Sequence, residues 1–352
     1  MKISFLVASL SNVGSISLVK DLTDNLTQLG HSCTVFYFDD KIELDFSCNT
    51  EKISFYKKFD FDAYDIIHSH GFRPNAYVFF HRAKSDRSRF ITTMHSYIKE
   101  DISYHYNYFI GLIFSRIWKI LLIKQDLICC LSNDAKTYYQ KFLFKTKIEV
   151  IYSGRDVSDK ENDVDSNDKD FFEKLKDKYI VIGANAVLTR IKGLEQIIHL
   201  LKRDAELAFV IIGDGKEKHK LISLSKKLNV ANRCFFLGYR EEARRYLNHY
   251  DIYAMPSRFE GFPLALTEAV AYKVACICSD IPIFKELYSD QMIFRFKLDD
   301  IDDLEKKITI LKDFNKRKIN AQNAFEYYSK EYTSVAMAYR YIIAYEEAIN
   351  SK

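Results

Sequence analysis

Short apolar runs, separated by stretches with helical spacing, recur along both halves of the chain. Ile3–Leu10 (ISFLVASL) has the length of a buried strand. A helical pattern from Ser17 to Leu29 follows, and Gly30 ends it. CTVFYF, DIIHSH, RFITTMH, LICCLS and IEVIYSG continue the strand series through the first half. Over residues 156–177 the rhythm stops: nine acidic residues and four Lys occur, with few apolar residues before Phe171. That composition predicts a solvated linker. The rhythm resumes with YIVIGANAV, AFVIIG, RCFFLG, IYAMPS and ACICSD. Strands that alternate with helices predict parallel sheets covered on both faces. The expected division is a Rossmann-like domain over 1–155, a linker over 156–178 and a second Rossmann-like domain over 179–330. A helix over 331–352, rich in Tyr and Ala, is expected to pack back on the first domain.

Composition narrows this α/β picture. At 352 residues the chain has length for two cores, and 48% hydrophobic with 28% charged residues is ordinary for a globular protein. A net charge of +4 gives no case for nucleic acid. The seven cysteines have no zinc-finger spacing and lie mostly in apolar runs such as LICCL and ACIC, so they read as small hydrophobes in a reducing, cytoplasmic compartment. The start, MKISFLVASL, lacks a signal-peptide cleavage pattern and reads as a strand. Tyr108–Ile123 is interrupted by Arg116 and Lys119 and falls short of the ~20 residues of a spanning helix.

The chemistry concentrates in residues 257–273, SRFEGFPLALTEAVAYK. Ser257, Gly261 and Pro263 mark a loop entering a helix, with Pro263 suited to the first turn. The N–H groups at a helix start favour an anion, commonly phosphate. Glu260 and Glu268 flank that position, where a carboxylate has sugar hydroxyls as its natural partners. Two acids at this spacing are ordinarily unrelated surface residues, but the flanking residues reverse that preference.

The motif E-G-F-P-x-x-L-x-E-A, preceded by a strand ending in Pro-Ser, resembles the retaining glycosyltransferases of family 4. DIIHSHG (65–71), TMH (93–95), IYSGRD (151–156), IIGDG (211–215) and FLG (236–238) extend the likeness over nearly the whole chain. The resemblance implies a GT-B fold, two Rossmann-like domains with parallel sheets facing a central cleft, the first for the acceptor and the second for a nucleotide sugar. It also implies roles. Glu260 is expected near the transferred sugar and Glu268 on the ribose; the backbone of Phe262, Pro263, Leu264 and Ala265 would hold diphosphate. Lys192 would offset diphosphate charge as the leaving group departs, and Tyr239 and Arg240 lie where the base is read. His95 lies close to the reacting sugar, while Gly14 and Gly213 belong to the donor-facing loops. His70, Arg73 and Tyr97 are candidates for the acceptor side; His68, sharing a strand with His70, reads first as structural.

Two positions depart from the family pattern. Val187 stands where an Arg is usual, five residues before Lys192, and Arg190 is the candidate replacement. Ser15 follows Gly14 where a second Gly is usual. These departures support an alternative, a catalytically weak GT-B subunit that stabilises a partner transferase. The favoured reading is an active enzyme that moves a hexosyl or N-acetylhexosaminyl group from a UDP-sugar, rather than a GDP-sugar. No cofactor or metal is expected, because the adjacent acids Asp39-Asp40 and Asp299-Asp300 read as surface pairs or caps. Residues 82–147 carry twelve Lys or Arg against five Asp or Glu, with Tyr97, Tyr104, Tyr106, Tyr108, Phe109, Phe114 and Trp118 among them. A basic, aromatic face of this kind predicts peripheral binding to an anionic inner leaflet. The expected acceptor is a polyprenyl-diphosphate-linked sugar in O-antigen or capsule assembly.

Overall fold

The computed structural model describes residues 1–84, 86–105, 108–157 and 164–351. The chain forms two compact units, Met1–Arg155 with Tyr332–Lys352, and Asp156–Glu331. The first unit has strands β1 (Lys2–Val7), β2 (Ser32–Tyr37), β3 (Asn49–Lys52), β4 (Ile66–His70), β5 (Arg89–Met94), β6 (Leu127–Cys130) and β7 (Lys147–Val150). All pair in parallel, in the order β3-β2-β1-β4-β5-β6-β7. Helices α1 (Gly14–Gln28), α2 (Phe72–His81), α3 (Ile98–His105), α4 (Tyr108–Leu122) and α5 (Asn133–Gln140) connect them. The continuous apolar runs are explained by burial on both faces: Phe5, Leu6, Val35, Ile67, Phe90, Ile91 and Ile128 are all fully buried.

The second unit begins with α6 (Ser166–Lys176). Strands β8 (Ile180–Asn185), β9 (Leu207–Ile212), β10 (Cys234–Gly238), β11 (Ile252–Met255), β12 (Ala275–Ser279) and β13 (Phe294–Phe296) form a parallel sheet in the order β10-β9-β8-β11-β12-β13. Its helices are α7 (Glu195–Arg203), α8 (Lys218–Lys227), α9 (Leu264–Ala271), α10 (Pro282–Leu287), α11 (Ile301–Leu311) and α12 (Phe314–Glu331). The last helix, α13 (Ser334–Asn350), belongs to the first unit, with Met337, Ala338, Tyr341 and Tyr345 buried. Thr333 starts it as an N-cap, accepting from Ala336 N–H at 3.1 Å.

Three elements differ from the expectation. Helix α1 starts at Gly14, three residues before the apolar pattern becomes visible, so Gly14 opens the helix rather than lying in the preceding loop. β3 is short and wholly exposed, which leaves it without an apolar run to read. The stretch expected as a linker contains α6: Phe172 and Leu175 are spaced to share one buried face, and that face outweighs the surrounding charge. Residues 158–163 of that stretch lie outside the described residues. All seven cysteines are free thiols, and six are buried. Burial pushes the Cys130 and Cys234 thiols up to about 12, so both are packing groups rather than nucleophiles. Among the described residues no helix is long and apolar enough to cross a membrane.

Candidate active site

Strand order reverses between β8 and β11 in the second unit, and at such a switch point the two loops leaving the strands diverge and open a ligand site. The loop after β8 carries Lys192 in a single 3₁₀ turn, Arg190–Lys192, closed by Gly193 in the left-handed region (φ 61°). A Cβ on Gly193 would lie 2.1 Å from the Pro256 carbonyl, so only glycine lets the β8 and β11 loops approach this closely. The Gln196 side-chain amide joins them, donating to Gly193 O at 3.1 Å and Pro256 O at 2.9 Å.

That approach brings two predicted residues together. Lys192 Nζ lies 2.7 Å from Glu260 Oε1, and Ser257 Oγ donates to the same oxygen at 2.6 Å. Ser279 in turn donates to the Ser257 carbonyl. The side chains of Lys192 and Glu260 are 24% and 9% exposed, so the pair is largely withdrawn from water yet still reachable. Helix α9 begins directly after. Pro263 caps it instead of lying in its first turn. Leu264 N–H donates to Phe262 O, and Leu266 and Thr267 N–H to Pro263 O; Ala265 makes no backbone bond of this kind among the described residues. Glu268 lies one turn further on. Burial, and then the charges of Glu268 and Glu260, hold the Tyr253 phenol well above its usual range, so both acids lie near one buried ring.

The remaining donor-side residues divide. Gly213 (φ 133°) is needed for packing, since a Cβ there would lie 1.9 Å from Ala186 O. Tyr239 is 67% exposed after β10. Arg240 is engaged within the unit: its Nε donates to Tyr246 OH at 3.0 Å and its Nη2 to Asp168 at 3.4 Å. Its backbone, not its guanidinium, is therefore what this loop can offer a ligand. Val187 is 65% exposed, and Arg190 is exposed and in no ion pair among the described residues. Arg258 escaped the sequence reading. It pairs with Glu195 at 2.7 Å and with Asp299, and donates to Arg190 O at 3.0 Å, fastening the turn that carries Lys192. Its partners are scattered along the sequence, so no linear motif announces it.

In the first unit, β4 and β5 are neighbours and His70 is in register with Thr93. His70 Nδ1 lies 2.9 Å from Nε2 of His95, which follows the end of β5. His68 is structural. Its Nδ1 meets Tyr345 OH at 2.7 Å and its Nε2 meets Thr93 Oγ1 at 2.8 Å; Thr93 also meets Tyr341 OH at 2.8 Å. Burial lowers His95 to about 4 and His68 to about 3, and holds His70 well below its ordinary value with His68 and His95 adding to the effect. All three rings are therefore neutral at pH 7, and the His70–His95 bond has one donor and one acceptor. Arg73 is exposed on α2 and pairs with Asp39 at 2.6 Å. Tyr97 corrects the expectation: it is buried, donates to Asp134 and packs edge-on against Tyr138, so it presents no ring to an acceptor. Among the described residues no group of three or more His, Cys, Asp or Glu is placed to hold a metal ion.

Two doubly wound parallel sheets in one chain are the architecture of the GT-B glycosyltransferases. The structure of HepE from Anabaena in complex with UDP and glucose matches this chain with a TM-score of 0.78 at 18% identity, over 98% of this chain and 99% of that one. Residues 50–159 match the Glycosyltransferase Family 4 model, and residues 165–331 the model for glycosyl transferases group 1. The O-antigen biosynthesis glycosyltransferase WclY of Escherichia coli is 32% identical over 97% of both chains. A second Escherichia coli relative, the UDP-Gal:alpha-D-GlcNAc-diphosphoundecaprenol alpha-1,3-galactosyltransferase, is 24% identical over 77% of this chain and 72% of its own. The protein belongs to glycosyltransferase family 4.

Proposed function

We propose that this glycosyltransferase moves a sugar, with retention and without a metal, from a UDP-sugar to a lipid-linked sugar in the assembly of O-antigen or a related surface polysaccharide. The observation that carries the reading is the Lys192–Glu260–Ser257 cluster beside the start of α9. Breaking the bond to a nucleotide diphosphate leaves negative charge on the phosphates. Lys192, Arg190 and the Ala265 N–H at the start of α9 offer fixed positive charge and a backbone donor to that leaving group, which is preorganised electrostatic catalysis. Glu260, held by Ser257, then faces the sugar, and Glu268 takes the ribose. His95 stands on the acceptor side as a neutral imidazole, and His70 fixes its orientation. Retention is inferred from family membership. UDP is favoured because HepE was crystallised with UDP and glucose, and the second Escherichia coli relative is named for UDP-Gal.

That relative is also named for a diphosphoundecaprenol-linked acceptor, which supports a lipid-linked acceptor here. Helix α4 supplies a means of reaching one. Ile113, Ile117 and Ile120 are exposed along it, with Arg116 beside them. An apolar face bordered by a cation suits the cytoplasmic leaflet of an anionic membrane. Thermal-shift measurements with nucleotide diphosphates test the donor. A ligand at 100 times its Kd stabilises the fold by about 2.7 kcal/mol. A shift with UDP and not GDP is expected. Product formed in the presence of a chelator, with its anomeric configuration read by NMR, tests metal independence and retention. Silence from every nucleotide would sink the reading.

Exposed Val187, where the family has Arg, favours the second reading of a weak subunit supporting a partner transferase. The intact Lys192–Glu260 pair favours activity.

A further inference from the structure

The first unit contains a cavity of about 670 Å³ that the transfer reaction does not use. Arg89, Leu127 and Lys147, the first residues of β5, β6 and β7, line it, so it opens at the sheet edge opposite His70 and His95. Its apolar wall includes Ile123, Leu127, Phe142, Leu143 and Ala348. At this size a pocket can bury most of a drug-sized ligand.

Two features say what kind of molecule fits. The first is continuity with α4. This helix follows α3 in the connection from β5 to β6, and its exposed Ile113, Ile117 and Ile120 lead along the chain to Ile123, which is 65% exposed and also lines the cavity. Phe144, also lining it, is 85% exposed. The second feature is polar. Arg89 has a buried guanidinium nitrogen, Nη2, with no partner, and Gln125 likewise has a buried, unpartnered Oε1. A buried polar atom left this way is costly, and a ligand that satisfies it binds with that cost removed. The other charges at the cavity largely cancel: Asp126 is paired with Arg82, and Lys147 with Glu149 and Glu347. Arg89 and Lys145 form no ion pair among the described residues, so the net field is positive.

We infer that this cavity binds one anionic phospholipid, with an acyl chain in the apolar pocket, the phosphate on Arg89 and Lys145, and a headgroup hydroxyl on Gln125. Phosphatidylglycerol has each of these groups. The inference rests on reading α4 as a membrane face, and it adds a discrete lipid site at one end of that face.

Dihexanoylphosphatidylglycerol below its micelle concentration allows the site to be tested without a bilayer, by calorimetric titration of the full chain. Saturable binding of one lipid per chain is expected, with dihexanoylphosphatidylcholine and glycerol 3-phosphate each weaker by about tenfold or more. Arg89→Gln with Lys145→Gln should weaken binding about tenfold. Ala348→Leu, which fills the pocket without changing charge, should weaken it as well and covers the case in which the double variant does not fold. Ile113→Glu with Ile117→Glu should abolish binding to vesicles and leave the short-chain lipid bound, which separates failure of the α4 reading from failure of the cavity. Equal binding of the choline lipid or of glycerol 3-phosphate overturns the inference, as does binding indifferent to the folded cavity variants.

Discussion

At the residue scale the central fact is that Glu260 Oε1 takes two donors, Lys192 and Ser257. A bound diphosphate competes for the ammonium, while the Ser257 bond keeps the carboxylate in place. Glu260→Gln preserves shape but removes charge. We expect kcat to fall by about 100-fold or more with UDP affinity nearly unchanged, read from steady-state kinetics and a UDP titration. Lys192→Ala should lower both. The histidines give a pH prediction. Their folded values lie below the ordinary 6.5, so between pH 6.5 and about 4 the unfolded chain binds more protons than the folded one. Stability therefore falls as pH drops through that window. The melting temperature should decline from pH 7 to pH 4, and His68→Gln should flatten the decline; an unchanged slope refutes the assignment. Lys192 and Glu260, which the structure brings to 2.7 Å, could be singled out in the sequence because their motifs carry them. Ser257 was visible as the Ser of Pro-Ser, but its bond to Glu260 was not. Arg258 was invisible because its carboxylate partners come from α7 and from the loop after β13.

At the element scale α4 and α6 show opposite failures of pattern reading. The basic, aromatic stretch was expected to present its aromatics. Tyr108 and Phe109 are exposed as expected, but Phe114 and Trp118 pack on Phe72, at ring separations of 4.3 Å and 5.5 Å, and isoleucines take the outward positions further along α4. Lys119 lies over the Phe142 ring at 3.4 Å, and Lys124 donates to Arg82 O at 3.2 Å, so both are engaged by the protein. Membrane binding should thus respond to Ile113→Glu and Ile117→Glu more than to charge reversal at either lysine. Each buried Ile contributes about 1.5–3 kcal/mol, so the pair should lower partition onto phosphatidylglycerol vesicles at least tenfold in a sedimentation assay. In α6 the charges concealed a helix that Phe172 and Asp168 fasten to the second unit, the latter by accepting from Tyr246 OH at 2.6 Å.

At the scale of the whole molecule, the two parallel sheets were legible because strands buried on both faces read as unbroken apolar runs. Exposed β3 and short β13 lacked that signal. Helix α13 closes the first unit through the bonds of Tyr345 to His68 and Tyr341 to Thr93. Tyr345→Phe should leave His68 Nδ1 unsatisfied and cost about 1–3 kcal/mol, measurable by denaturant unfolding. The same arrangement has a consequence for biosynthesis. The ribosome emits residues 1–155 first, yet their fold is incomplete until residues 332–352 emerge. At about 5–20 residues per second, the intervening chain takes roughly 10–40 s to make. For that interval the face awaiting α13 stays uncovered, while the later-made unit has all its residues first. Maturation thus runs against the order of translation, and the nascent first unit is the stage at which a chaperone has most to protect.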